Sequence, residues 1–159
     1  PSFKYILDFT LYRPRDIIVF LSAITEDNYE IPINFESLKK ILFKYINKLR
    51  TEIESELSLF FNEAEKTELF MVLEYIANHN CKREDVIQVI AEQPKFSFSA
   101  ERVFSILEEY SLIGYKNQQG ESFFKCREQD LDDDEKRDMQ LTLPRCILHN
   151  FKKIHARRY

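Results

Sequence analysis

Between Phe35 and Leu57 the apolar residues Leu38, Ile41, Leu42, Tyr45, Leu49, Ile53 and Leu57 recur by threes and fours, the spacing that an α-helix turns to one side. The pattern predicts one amphipathic helix of about 25 residues, roughly 40 Å long at about 1.5 Å per residue. Such a helix is longer than most in globular proteins, so it is expected to bridge two parts of the fold or to lie along a neighbour. Asn34 stands where its N-cap belongs. Only two glycines occur in 159 residues, and no GxxxxGK[ST], GxGxxG or GxSxG pattern is present. Nucleotide and acyl chemistry in their familiar glycine-dependent forms are thereby excluded from this chain.

Downstream, Asn62 followed by Glu65 has the form of a capping box, opening a helix that buries Leu69, Phe70, Leu73, Ile76 and Ala77 and stops at Asn78-His79-Asn80. A shorter helix over 84–92 turns Val86, Ile87 and Ile90 inward, and Pro94 closes it. Ser99 caps a third, 100–111, with Val103, Phe104, Leu107 and Tyr110 on one face. Two short runs, LIGYK and SFFKCR, then flank a polar turn ending in Gly120, a hairpin signal. Residues 139–143 could pair as a further strand, and Pro144 is placed to open a last helix through Ile147, Leu148, Phe151 and Ile154. Three helices followed by a hairpin is the order of a winged helix-turn-helix domain.

Upstream lies LYRPRD, residues 11–16, followed at once by IIVFL. Pro14 suits the first turn of a helix, where its missing N–H costs nothing. That helix is expected to carry Ile17, Ile18, Phe20 and Leu21 inward, with Asp16 in the first turn answering the helix dipole. A positive charge there is unfavourable, which favours a specific partner for Arg13 or Arg15; the alternative is that both are exposed arginines flanking a helix start, one of them paired to Asp8 or Asp16.

With 44% hydrophobic and 31% charged residues, the chain has the composition of a folded, helix-rich protein. Cys81, Cys126 and Cys146 are odd in number and far apart, which argues against a disulfide framework or a zinc finger, and they are read as buried or inert thiols. No apolar run approaches the roughly 20 residues of a membrane span, so no membrane contact and a cytoplasmic location are expected. A chain that begins at Pro1 reads as processed or as a fragment excised from a longer one. The net charge of −4 gives no footprint for nonspecific nucleic-acid binding. The distribution is uneven: 128–138 holds seven acids and two bases and reads as a solvated loop, whereas 145–159 holds five Lys or Arg, two His and no acid.

TLYRPRDIIVFL, the long helix after it, EEYSLIGYKNQQGESFFKCRE and LPRCILHNFKKI together resemble the carboxy-terminal region of bacterial P-loop ATPases related to the AAA+ and STAND classes, some of them suspected of roles in phage defence. The resemblance implies a mainly α fold with a small β-hairpin: a helical lid-like segment over 1–61, then a winged-helix domain over 62–159 with an acidic loop and a basic C-terminal helix. It also implies that Arg13 or Arg15 is the lid arginine that senses a nucleotide's phosphates, chemistry suited to a permanently charged planar fork. The Walker A and B segments are missing from the chain, so no catalytic residues, no cofactor and no enzymatic activity are expected of it. ATP and Mg would belong to the parent, whose ATPase core, a protein partner or a second copy would be what this module meets.

For nucleic acid, the outward positions of the third helix, Glu101, Arg102, Ser105, Glu108 and Glu109, are mostly acidic and poorly suited to a major groove. The remaining basic candidates are a wing of Lys116, Lys125 and Arg127, and a terminal patch of Arg145, Lys152, Lys153, Arg157 and Arg158 interleaved with His149 and His155. That patch could hold phosphates, the acidic loop 130–138 or an acidic partner. No residues lie at metal-ligand or acid-base spacing beside His149.

Overall fold

The computed structural model describes residues 3–26, 33–127 and 131–148. They form a mainly helical fold with a small antiparallel sheet. The helices are α1 (Phe3–Leu7), α2 (Pro14–Glu26), α3 (Phe35–Leu57), α4 (Glu63–Asn78), α5 (Arg83–Ala91), α6 (Ala100–Glu109) and the short α7 (Asp133–Arg137). The strands are β1 (Gly114–Lys116), β2 (Ser122–Phe123) and β3 (Gln140–Thr142), in spatial order β2-β1-β3. Residues 145–148 are again helical.

The long helix forms as its apolar spacing predicts. Asn34 Oδ1 accepts the Ser37 N–H at 2.8 Å, and the 23 residues that follow bury every position of the expected stripe, with Ile46 added to it. α2 lies along α3 with Phe20 edge-on to Tyr45, ring centroids 5.9 Å apart. Full burial of a side chain such as Phe20 contributes roughly 1.5–3 kcal/mol. One expectation fails here. The inner stripe of α2 is Asp16, Phe20 and Ala23, so Ile18 and Leu21 are turned outward, 67% and 52% exposed, and Ile17 is half-buried. Asp16 takes the inward position because its Oδ2 accepts the N–H of Leu11, itself fully buried, at 2.9 Å.

The capping box of α4 is complete: Asn62 Oδ1 accepts from the Glu65 N–H at 3.0 Å, and Glu65 Oε2 from the Asn62 N–H at 2.8 Å. Val72 joins Leu69, Leu73 and Ile76 in the core, whereas Phe70 and Ala77 are only half-buried. Lys66, 7% exposed, donates to Ser58 Oγ at 2.8 Å and to Glu63 at 2.6 Å, a cation set at the C-terminal end of α3 where the dipole favours it. Between α5 and α6, Phe96 and Phe98 fold back edge-on to Phe61.

The sheet follows directly. β1 pairs with β2 through Tyr115↔Phe123 and with β3 through Tyr115↔Leu141, and the Leu141 N–H reaches the Cys81 carbonyl at 2.8 Å, tying β3 to the α4–α5 junction. Gly114 is required by close approach, since a Cβ there would lie 2.4 Å from both the Phe123 carbonyl oxygen and the Phe124 ring. Gly120 closes the hairpin turn with φ +86°. Among the described residues the buried side chains form a continuous cluster from Leu11 to Ile147.

Two further expectations are corrected. SFFKCR is a strand only at Ser122–Phe123; Lys125–Arg127 turns into a 3-10 helix, because the Cys126 N–H goes to Ser111 Oγ and the Arg127 N–H to the Phe124 carbonyl. The acidic stretch is solvent-exposed but helical at 133–137, since Asp132 and Glu135 cap each other's N–H at 2.7 and 3.0 Å. Asp130, Phe151 and Ile154 lie outside the described residues.

Candidate functional site

The LYRPRD segment is held by its own neighbours. After α1 the chain turns at Thr10, whose Oγ1 donates to the Leu7 carbonyl at 2.9 Å and accepts the Tyr12 N–H at 3.1 Å. Tyr12 sits at φ +58°, a left-handed conformation costly for a residue with a Cβ, and its hydroxyl donates to Asp8 Oδ1 at 3.2 Å. Pro14 then starts α2, as its fixed φ allows. The result is that Arg13 and Arg15 leave the same side of the segment.

Both arginines meet one carboxylate. Arg13 Nη1 lies 2.9 and 3.0 Å from the two oxygens of Glu56, and Arg15 Nη2 lies 2.6 Å from Glu56 Oε1 and 3.3 Å from Glu52 Oε2. Glu52 and Glu56 are one helical turn apart near the C-terminal end of α3, so they form a single acidic edge. The hydrogen bond to Glu56 and the charge of Glu52 hold the Arg15 guanidinium above its ordinary range. The partners are therefore neither Asp8 nor Asp16. Asp16 is turned inward, with Oδ1 buried and unpaired, and burial raises its carboxyl.

Asp8 serves the other side. Arg127 Nη2 and Arg145 Nη1 each lie 3.9 Å from it, and the Arg127 guanidinium is stacked between the rings of Tyr12 at 4.4 Å and Phe124 at 5.0 Å. Arg127 is thus no part of an exposed wing. It fastens the turn after the hairpin to the start of the chain, and this explains why Tyr12 holds its strained φ.

Facing Arg13 is the end of α6. Its last turn closes with the Leu112 N–H on the Leu107 carbonyl and the Ser111 N–H on the Glu108 carbonyl, both 2.9 Å, which places Ser111 at φ +55° where glycine is usual. Ser111 Oγ accepts the Cys126 N–H at 2.8 Å. Between these walls lies a cleft of about 440 Å³, with Arg13 and Glu56 on one side and Glu109, Tyr110, Lys125 and Cys126 on the other.

The remaining basic candidates are dispersed. Lys116 on β1 and Lys125 are exposed and make no ion pair with a described residue. Lys152, Lys153, Arg157, Arg158, His149 and His155 lie outside the described residues. The acids of α6 are neutralised in place: Glu101 by Arg83 at 2.7 Å, Glu108 by Lys136 at 2.7 Å and Glu109 by Arg102 at 3.5 Å. The three cysteines are free; burial pushes Cys81 up to about 11 and Cys146 up to about 12, and raises Cys126 as well, so none is a ready thiolate at neutral pH. Among the described residues no group of His, Cys, Asp or Glu is arranged to hold a metal ion, and no helix is long and apolar enough to cross a membrane.

Glu52 and Glu56 are what sequence reasoning missed, and Asp8, named there as a partner for Arg13 or Arg15, meets Arg127 and Arg145 instead. Two acids at i and i+4 on a predicted helix are visible, yet nothing in their spacing joins them to arginines about 40 residues upstream. Against known proteins, the chain matches no family model, no curated protein and no solved structure.

Proposed function

We propose that this chain is a non-catalytic interaction module, the carboxy-terminal lid and winged helix of a bacterial P-loop ATPase, which couples the nucleotide state of its parent to a protein partner or to self-assembly. The observation that carries this reading is the convergence of Arg13 and Arg15 on Glu56. A phosphate approaching the arginines competes with that carboxylate, and the competition acts on the end of a rigid helix of about 34 Å. A module of this kind needs a switchable charge contact and a lever, and both are supplied by α2 and α3.

The test starts with the coding sequence upstream of Pro1, which on this reading encodes a GxxxxGK[ST] loop and an acidic Walker B strand. In the whole protein, Arg13→Ala and Arg15→Ala then lower ATP turnover, or its response to the partner, at least about tenfold, close to 1.4 kcal/mol. Absence of a P-loop upstream, or unchanged turnover in both variants, overturns the proposal.

A second reading, nucleic-acid binding through the hairpin and the basic tail, is favoured by one observation: Lys116 and Lys125 stay without acidic partners among the described residues while the acids of α6 are neutralised. Fluorescence anisotropy with short single- and double-stranded DNA at two salt concentrations decides it. Binding that weakens steeply with salt and is lost when Lys152, Lys153, Arg157 and Arg158 become alanine supports this reading; no binding at low salt removes it.

A further inference from the structure

We propose that the cleft between the Arg13–Glu56 pair and the end of α6 binds the compact oxyanion of a small ligand, a carboxylate or a phosphate group. The cleft is lined by described residues of this chain, and the proposal does not rest on the ATPase reading. Its volume, about 440 Å³, falls in the range of small-molecule sites, roughly 300–1,000 Å³.

The sign of the ligand follows from which donors are already used. Arg13 spends one nitrogen, Nη1, on both oxygens of Glu56; its Nη2 and Nε make no hydrogen bond to a described residue. Glu56 is shared with Arg15, which also meets Glu52, and Glu109 on the facing wall is held by Arg102, so both carboxylates of the lining are ion-paired. Lys125 faces them without an acidic partner among the described residues. What remains is a set of unused donors, the free edge of the Arg13 fork and the Lys125 ammonium, and these are groups that suit an oxyanion. Tyr110 is fixed edge-on to Phe60 at 5.6 Å and offers the body of the ligand an aromatic side. The Ser111–Cys126 hydrogen bond ties the end of α6 to the turn that carries Lys125, so that side of the cleft is held together before any ligand arrives.

The experiment is an amide NMR titration of the 159-residue chain, at low ionic strength, with inorganic phosphate and, separately, citrate. Saturable shifts at Tyr110, Ser111 and Cys126 are expected, and the tighter of the two probes identifies the oxyanion. Lys125→Ala weakens that binding about fivefold, the worth of roughly 1 kcal/mol for an exposed charge. Glu56→Gln, which removes a competitor for Arg13, tightens it by a similar factor, whereas Lys116→Ala, the same charge change on β1, leaves it unaltered. Should Glu56→Gln perturb the fold, Glu109→Gln carries the same prediction from the opposite wall. Shifts that fail to saturate, shifts spread evenly over basic residues, or equal losses from Lys116→Ala and Lys125→Ala overturn the proposal.

Discussion

Glu65→Gln is the replacement whose cost the geometry defines most sharply. Glu65 is 2% exposed and its carboxylate accepts three hydrogen bonds: the Asn62 N–H at 2.8 Å on Oε2, and the Ser97 N–H at 2.7 Å and O–H at 2.6 Å on Oε1. With Glu68, which takes Lys95, it pins the α5–α6 connection to the start of α4 and so seats Phe96 and Phe98 on Phe61. Glutamine has the same shape but one acceptor. With its oxygen toward Ser97, its amide faces the Asn62 N–H, donor against donor, and a buried unpaired N–H costs about 1–3 kcal/mol. The two surviving bonds also lose their charge assistance, for a total of about 3 kcal/mol. In a domain of this size that lowers Tm by about 10 °C at pH 7.

The pH dependence has a definite sign. The Ser97 hydroxyl bond, followed by the N–H bonds from Asn62 and Ser97, holds the Glu65 carboxyl below its ordinary value of 4.5. The folded state therefore binds this proton more weakly than the unfolded chain. The stabilisation is present above pH 4.5 and is lost as pH falls through the lower folded value. Glutamine has nothing to lose over that range, so the gap in Tm between the two proteins narrows on acidification. Circular dichroism melts from pH 7 downward measure it. A gap under about 2 °C at pH 7, less than roughly 1 kcal/mol, or one that widens in acid, refutes the reasoning.

Gly114→Ala drives a Cβ into the Phe123 carbonyl and the Phe124 ring and is expected to cost about 3 kcal/mol or to lose the hairpin signals in NMR spectra; a melting point within error of the parent contradicts the close approach. Ser111→Ala keeps the left-handed strain and orphans the Cys126 N–H, costing about 1–3 kcal/mol, whereas Ser111→Gly relieves the strain and is the milder change; urea midpoints in the reverse order would count against this account. Asp16→Ala strands the buried Leu11 N–H and destabilises by about 1–3 kcal/mol. Asp16→Asn retains that acceptor and removes a charge whose carboxyl burial has raised, so it stabilises at pH 7 and the gain fades in acid as the wild-type carboxyl protonates; a gain that persists unchanged at low pH rules this out.

Helices and caps were legible in the sequence because they depend on neighbours in the chain. Asn34, Asn62 with Glu65, Ser99 and the stripe of α3 each act within a turn or along one face, and each forms as the pattern predicts. Gly120 marks its turn for the same reason. Ile18 and Leu21 were misjudged because hydrophobicity alone does not say which side of α2 meets α3. A buried Leu11 N–H needed an acceptor, and Asp16 won the inward position despite its charge.

The candidate site is of the other kind. Arg13 and Arg15 stand out in the sequence, yet their partner Glu56 is brought to them by the way α2 packs on α3. Arg127 looked like part of a wing and became a bolt between Tyr12 and Phe124, because the Ser111 hydroxyl claimed an N–H that a longer strand would have given to β1. Sequence by itself determined where the capped helices begin, which stripe α3 buries and where the hairpin turns, since those choices are settled over a few residues. Only the tertiary structure decided which charges meet around the cleft: ion pairs between segments tens of residues apart depend on distances in space that no local pattern encodes.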